Sequence, residues 1–136
     1  MNVTTRTVRR TVSAGVVAAT VAALGLLAPG SAEAAASCPS GSLCVWDQIN
    51  YTGNRCSWSN ADNDWTSGTV TCSWADDRNV KSVWNNGTSS SYTGVGLYSG
   101  TGYSGYLGCI GQGVKGPGVS GGPGLKVLSH KWLTSC

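Results

Sequence analysis

Few residues in this chain could carry catalysis. His130 is the only histidine, and Ser120 is the serine of a Gly-x-Ser-x-Gly sequence at residues 118–122. A nucleophile elbow of that pattern needs a strand-to-helix turn in a large α/β sheet. A triad of Ser120, His130 and an aspartate is one interpretation, but a surface or strand-end position for the histidine is the simpler one. We predict that the chain is not an enzyme and has no catalytic residue.

Cofactor and glycosidase motifs are equally weak. Residues 100–105 and 111–116 both match Gly-x-Gly-x-x-Gly, but neither opens a helix within a βαβ unit. We interpret them as hairpin and loop glycines, and we predict no cofactor. A glycosidase needs two carboxylates. The candidates lie mostly in predicted turns, where aspartate has structural uses. They are Asp47, Asp62, Asp64, Asp76 and Asp77.

All six cysteines follow residue 37. An even number of cysteines in a small exported chain indicates a disulfide framework, and six cysteines allow 15 pairings. A zinc site is the alternative, but no two of these cysteines have the Cys-x-x-Cys spacing. The cysteines are Cys38, Cys44, Cys56, Cys72, Cys109 and Cys136.

Residues 1–36 have the features of a cleaved export signal. Arg6, Arg9 and Arg10 precede an apolar run at 14–27, and alanine-rich sites follow it. The run is too short for a comfortable membrane anchor. The predicted mature domain, residues 37–136, has six basic residues against five acidic ones, scattered along the chain. We predict a secreted single domain that binds neither nucleic acid nor membrane.

The elements of the mature domain are predicted to be strands. Short alternating runs separated by Gly, Asn and Ser clusters recur, and no window has a helical apolar stripe. A core this small must depend on large aromatic side chains. The tryptophans are Trp46, Trp58, Trp65, Trp74, Trp84 and Trp132.

A twelve-residue pattern occurs twice, at residues 45–56 and 96–107. In each copy one aromatic residue is followed five positions later by another and two positions after that by glycine. We predict a strand, a tight fold-back with the glycine at positive φ, and a second strand, with the second aromatic lying over the glycine. The corner residues are Trp46, Tyr51 and Gly53 in the first copy and Tyr98, Tyr103 and Gly105 in the second.

This repeated pattern resembles the first hairpin of the βγ-crystallin Greek-key motif. The segment 38–44, Cys-Pro-Ser-Gly-Ser-Leu-Cys, joined directly to the first hairpin, is similar to the secreted bacterial peptidase inhibitor family I36, which is βγ-crystallin-like. The resemblance implies an all-β, disulfide-stapled sandwich of two Greek-key motifs. We expect residues 76–87 and 125–128 to supply the returning strands, 86–91 to link the halves, and 111–124 to hold little regular structure.

The same resemblance implies a non-catalytic function. We expect inhibition of an extracellular peptidase, a metallopeptidase, through a rigid loop anchored by a disulfide. The candidate inhibitory residues are Gly108, Cys109, Ile110 and Gly111; the alternative is that Cys109 and Ile110 simply end a strand. We predict sequential disulfides, with the first closing the family-like N-terminal loop: Cys38–Cys44, Cys56–Cys72 and Cys109–Cys136.

Many βγ-crystallin domains bind calcium through two adjacent Asn/Asp residues followed by a Ser/Thr-Ser pair. Here Arg78 and Lys81 stand at ligand positions, so we predict no metal, with Asp76 and Asp77 as either a partial site or a solvated turn.

The alternative function is binding of carbohydrate or a cell surface, or a toxin-like role, by a monomeric module. Trp58, Trp65 and Trp74 exceed what a small core needs, and an exposed indole stacks on sugar rings. Trp65, in the polar segment 60–68, is the tryptophan most expected to be exposed; the alternative is that it folds over the edge of the core.

Overall fold

The computed structural model describes residues 36–118 and 120–136. The predicted signal at 1–36 therefore lies almost wholly outside the described residues. Within the described ranges, no helix is long and apolar enough to cross a membrane. A single turn of 3-10 helix, Ile49–Tyr51, interrupts an otherwise β-stranded chain. The strands are β1 (Ser42–Trp46), β2 (Arg55–Trp58), β3 (Ser82–Asn86), β4 (Gly94–Tyr98), β5 (Tyr106–Gly111), β6 (Lys115–Gly116) and β7 (Ser129–Leu133).

The strands form two antiparallel sheets, ordered β2-β1-β3-β6 and β5-β4-β7. Each half contributes backbone pairing to the sheet of the other. β6, from the second half, pairs with β3 of the first sheet, and Asp62, from the first half, forms a bridge to His130 in β7. This arrangement confirms the predicted all-β sandwich of two Greek-key motifs.

The main core joins the two sheets. All five residues of β1 and all five of β4 are buried. Leu43 and Val45 of β1 share one apolar cluster with Val95 and Leu97 of β4. β1 and β4 are central strands of different sheets, and both are buried on both faces. This burial gives a small domain most of the apolar contact that it needs.

Tryptophans complete this core, and the expectation of an exposed Trp65 was wrong. Trp65 is 0% exposed, Trp58 is 3% and Trp74 is 7%. The segment around Trp65 is polar because its aspartates accept hydrogen bonds from neighbouring amides and hydroxyls, while the indole enters the core. Neither Trp65 nor Trp74 offers a face to a ligand.

One expectation for the second half was also wrong. The returning strand lies at 129–133 rather than 125–128, where Leu125 forms only an isolated bridge to Val80. The described residues of the glycine-rich segment 111–124 hold little regular structure, as expected: after the last residue of β5 they contain the two-residue strand β6, which pairs with the first sheet. This pairing between the halves is not contained in a local pattern.

Three disulfides fasten the sandwich: Cys38–Cys44, Cys56–Cys72 and Cys109–Cys136. The described part of the chain has no free cysteine. Cys109–Cys136 lies directly against Gly94, where a Cβ atom would come 2.7 Å from the Cys109 sulfur and 2.5 Å from the Cys136 sulfur. The C-terminus is thus bonded to the strand that carries the candidate inhibitory residues.

Candidate functional site

The two hairpin corners are built alike. Ser82 Oγ accepts a hydrogen bond from the Tyr51 amide (3.0 Å) and donates to the Gln48 carbonyl (2.7 Å). In the second half, Ser129 Oγ accepts from the Tyr103 amide (3.2 Å) and donates to the Gly100 carbonyl (2.6 Å). These two buried serines, which begin β3 and β7, therefore hold the two corners in place. The sequence pattern did not single out this role.

The corner glycines have the expected positive φ, +79° at Gly53 and +67° at Gly105. The second aromatic of each corner packs against the first rather than over the glycine. The ring centroids are 5.4 Å apart for Trp46 and Tyr51. A Cβ atom at Gly53 would instead collide with the carboxylate of Asp47. The glycine is needed both for its backbone conformation and for the close approach of this aspartate.

The predicted inhibitory residues lie in strand β5, not in a loop. Ile110 is half-buried and packs against the main core. Its carbonyl accepts a hydrogen bond from the Asn85 side chain of the other sheet at 2.8 Å. The side chain of Ile110 is therefore committed to the fold. The expected loop was wrong and the alternative, a strand, is what the structure has, because an apolar residue beside a cysteine fits a strand and a loop equally well. That these residues contact a peptidase stays a prediction.

β5 forms an edge of its sheet and carries a bulge. It pairs only with β4 in the sheet, and the register shifts so that Leu107 has no partner residue of its own opposite it. Leu107 is 40% exposed and the preceding Tyr106 is 59% exposed. A bulge of this kind commonly redirects a side chain at a sheet edge. The exposed apolar part of β5 is thus its beginning, at residues 106–107.

The region of the suspected partial calcium site is organised around an ion pair. Asp76 and Asp77 are exposed, whereas the buried carboxylate is that of Asp47, which lies 2.5 Å from the guanidinium of Arg78. The amide and side chain of Asn54 also donate to it, both at 2.8 Å. Burial raises the pKa of Asp47, but the hydrogen bonds from Asn54 and Arg78 outweigh burial and hold that pKa below its usual value. Arg78 therefore acts here as the partner of a buried anion.

Substituting Arg78 tests this role. We expect Arg78→Ala to lower the free energy of unfolding by about 1–2 kcal/mol, because a buried carboxylate loses a charged donor while solvent replaces it in part. Arg55→Ala, which removes an exposed arginine bonded to Ser37, should change stability by less than about 0.5 kcal/mol. Urea unfolding of both variants gives the comparison. Equal losses would contradict a special role for Arg78.

His130 is buried in a tryptophan cluster rather than placed at the surface. It is 0% exposed, and its Nδ1 accepts a hydrogen bond from Trp65 Nε1 at 2.8 Å. Since an indole nitrogen only donates, the neutral ring carries its proton on Nε2, which donates to the Asn60 carbonyl at 3.0 Å. Burial lowers the pKa of His130 from 6.5 to about 4. Both nitrogens are occupied by structural partners, so the ring does not serve as the base of a Ser120 triad.

Comparison with known proteins agrees with this geometry. The model of peptidase inhibitor family I36 matches residues 31–110, more than half of the chain. Among solved structures, a βγ-crystallin from Ciona intestinalis superposes with a TM-score of 0.50 at 16% identity, covering 68% of this chain and 99% of that one. A structure concerned with the evolution of the eye lens βγ-crystallin domain fold gives 0.51 at 13% identity, covering 71% and 89%. No match was found among the curated proteins.

Proposed function

Because the chain belongs to peptidase inhibitor family I36, a family of inhibitors and not of enzymes, we propose that it acts outside the cell on a metallopeptidase. We further propose that it is exported through cleavage of residues 1–36 and acts as a monomer through strand β5. The observation that carries the choice of β5 is an extended, exposed edge strand held by a disulfide.

The backbone of β5 suits a peptidase cleft. Peptidases bind substrates as extended chains, and an edge strand already has that conformation with one side unpaired in its sheet. The contact segment in this proposal is 106–111, which includes Gly108, Cys109, Ile110 and Gly111. An extended segment that is formed before binding loses less conformational entropy than a flexible one.

Two restraints hold this segment. Cys109 is joined to Cys136, and the Ile110 carbonyl is bonded to Asn85 of the opposite sheet. The segment is also paired with β4 on both sides of Leu107, at Tyr106 and at Gly108. A segment held in this way resists productive cleavage, because the two ends that a cut would create stay in place.

Leu107 is the apolar side chain that we assign to the enzyme's pocket. Thermolysin-like metallopeptidases take an apolar side chain on the primed side of the cleft, and Leu107 is exposed while Ile110 packs against the core. Tyr106 beside it adds an exposed aromatic ring, and aromatic residues are frequent at the energetic centre of interfaces.

We expect Leu107→Asp to raise the inhibition constant about 30-fold or more, the size of a 2 kcal/mol hot spot. The matched control is Val70→Asp, which places the same charge at another residue that is 40% exposed. Oxidised protein is titrated against a thermolysin-like metallopeptidase, with a serine peptidase alongside.

The outcomes separate the target from the segment. Stoichiometric, selective loss of metallopeptidase activity supports the proposed target, and no inhibition of either enzyme contradicts it. Inhibition that survives Leu107→Asp places the contact elsewhere on the domain. Ile110→Gly is a poorer test, because losing a side chain that packs on the core also destabilises the fold.

A further inference from the structure

A polar cleft lies where the loop of the first half meets the corner of the second. It has a volume of about 520 Å³, within the range of about 300–1,000 Å³ common for small-molecule sites. One side of the cleft is aromatic, and the other side carries amides, hydroxyls and a carboxylate. The residues that matter for its chemistry are Asn60, Asp62, Asn63, Ser67, Val70 and Tyr103.

The polar side of the cleft has unused hydrogen-bonding capacity. The exposed side-chain amides of Asn60 and Asn63 bond to no other described residue, and Asp62 uses only Oδ1, to accept from the Asp64 amide at 2.9 Å. Amides both donate and accept, and a carboxylate accepts, which is the mixture that vicinal hydroxyl groups require.

The apolar side is a fixed aromatic ring. Tyr103 is half-buried and packs edge-on against Tyr98, with ring centroids 5.8 Å apart. Val70 is 40% exposed at the same cleft. Trp58 forms part of the wall, and its buried Nε1 has no acceptor among the described residues.

The cleft is also rigid. Asp62 exchanges backbone hydrogen bonds with His130 at 3.0 and 2.9 Å, and the Asn63 carbonyl accepts from the Gly102 amide at 2.7 Å. These bonds tie residues 62 and 63 of the loop to the second half. The backbone that carries the polar groups is therefore fixed before any ligand arrives, which lowers part of the cost of binding.

We propose that this cleft binds a neutral carbohydrate. A sugar ring has an apolar C–H face, which would lie on Tyr103, and hydroxyl edges, which would bond to Asn60, Asn63 and Asp62. The lining carries one carboxylate and no lysine or arginine, which disfavours phosphates and acidic sugars. Lys131 lies outside the lining, with its Nζ 5.3 Å from the Tyr103 ring centroid, so an acidic sugar is included as a comparison in the test. The site differs from the tryptophan face expected from the sequence, because Trp65 is buried.

The proposal is tested by nitrogen-15 NMR titration of the full oxidised protein. The probes are cellotetraose, maltotetraose, mannobiose and chitobiose, with sialyllactose as an acidic comparison. We expect saturable shifts in residues 59–70 and at Tyr103 with at least one neutral probe. Asn60→Ala combined with Asn63→Ala should weaken that binding about tenfold or more, equivalent to about 1.4 kcal/mol.

Gln112→Ala is the control, since it removes an exposed side-chain amide outside the cleft. Absence of saturable shifts with every neutral probe overturns the proposal. So does binding that the double variant leaves unchanged, or a preference for sialyllactose. The peptidase titration is independent, because neither asparagine belongs to β5. A parent protein that inhibits the peptidase but binds no neutral sugar refutes the cleft proposal alone.

Discussion

Replacing Trp65 with alanine is expected to lower the free energy of unfolding by about 3–5 kcal/mol. Trp65 is 0% exposed and stacks on Trp58, with ring centroids 4.3 Å apart. Its loss would leave a cavity in the main core, and it would also leave His130 Nδ1 without the donor that now satisfies it. In a domain of this size such a loss is a large part of the total stability.

Urea unfolding of the oxidised protein measures this effect. The control is Tyr92→Ala, which removes an aromatic ring that is 46% exposed and should cost less than about 1 kcal/mol. Trp65→Phe keeps most of the apolar volume while removing the indole donor, and it should fall between the two. A loss below about 1 kcal/mol for Trp65→Ala would show that the indole does not sustain the core.

The second large effect is expected from acid. The pKa of His130 is lowered from 6.5 to about 4 because the ring is buried. Between these two pH values the unfolded chain binds a proton that the folded chain excludes. Stability is therefore complete above pH 6.5 and falls as the pH drops toward 4, by about 3 kcal/mol over the whole window.

The structure gives the reason for this sensitivity. A proton on Nδ1 would face the Trp65 Nε1–H, so two donors would meet at 2.8 Å. The rings of Trp58, Trp65 and Trp132 surround the imidazole and offer no charge to compensate. Asp47 acts in a different range: its pKa lies below the ordinary 3.8, so its contribution is lost only at still lower pH.

Unfolding free energies measured at several pH values between 7 and 4 test the window. His130→Gln keeps a hydrogen-bond acceptor and does not titrate. We expect this variant to be less stable than the parent at pH 7 and nearly unaffected by pH down to 4. A parent protein of constant stability across the window, or a variant with the same slope, would contradict the assignment to His130.

The sequence predicted the features that depend on the spacing of residues close together in the chain. Gly53 and Gly105 must have positive φ because a side chain would clash at a tight corner, and that requirement is visible in the repeated aromatic and glycine positions. An even set of cysteines likewise indicated a disulfide framework, and the resemblance of the repeated hairpin to the βγ-crystallin motif implied the sandwich.

What the sequence did not predict depends on contacts between distant segments. Trp65 is buried because His130, 65 positions later, supplies the acceptor for its indole. Ile110 lies in a strand, bonded to Asn85, because the second half folds back on the first. Arg78 pairs with Asp47 across 31 positions. None of these partners is marked by a nearby residue, so composition and periodicity could not connect them.

The pairing of each half with the sheet of the other affects how the domain unfolds. Removing β6 would strip β3 of its outer neighbour, and removing the Asp62 bridge would do the same to β7. Opening one half therefore opens the other, so unfolding is expected to be cooperative rather than stepwise. A peptidase that reached such a domain would find no half-folded intermediate to digest. The survival of the domain would then depend on global unfolding: on its equilibrium when refolding is faster than cleavage, and on its rate when cleavage is faster.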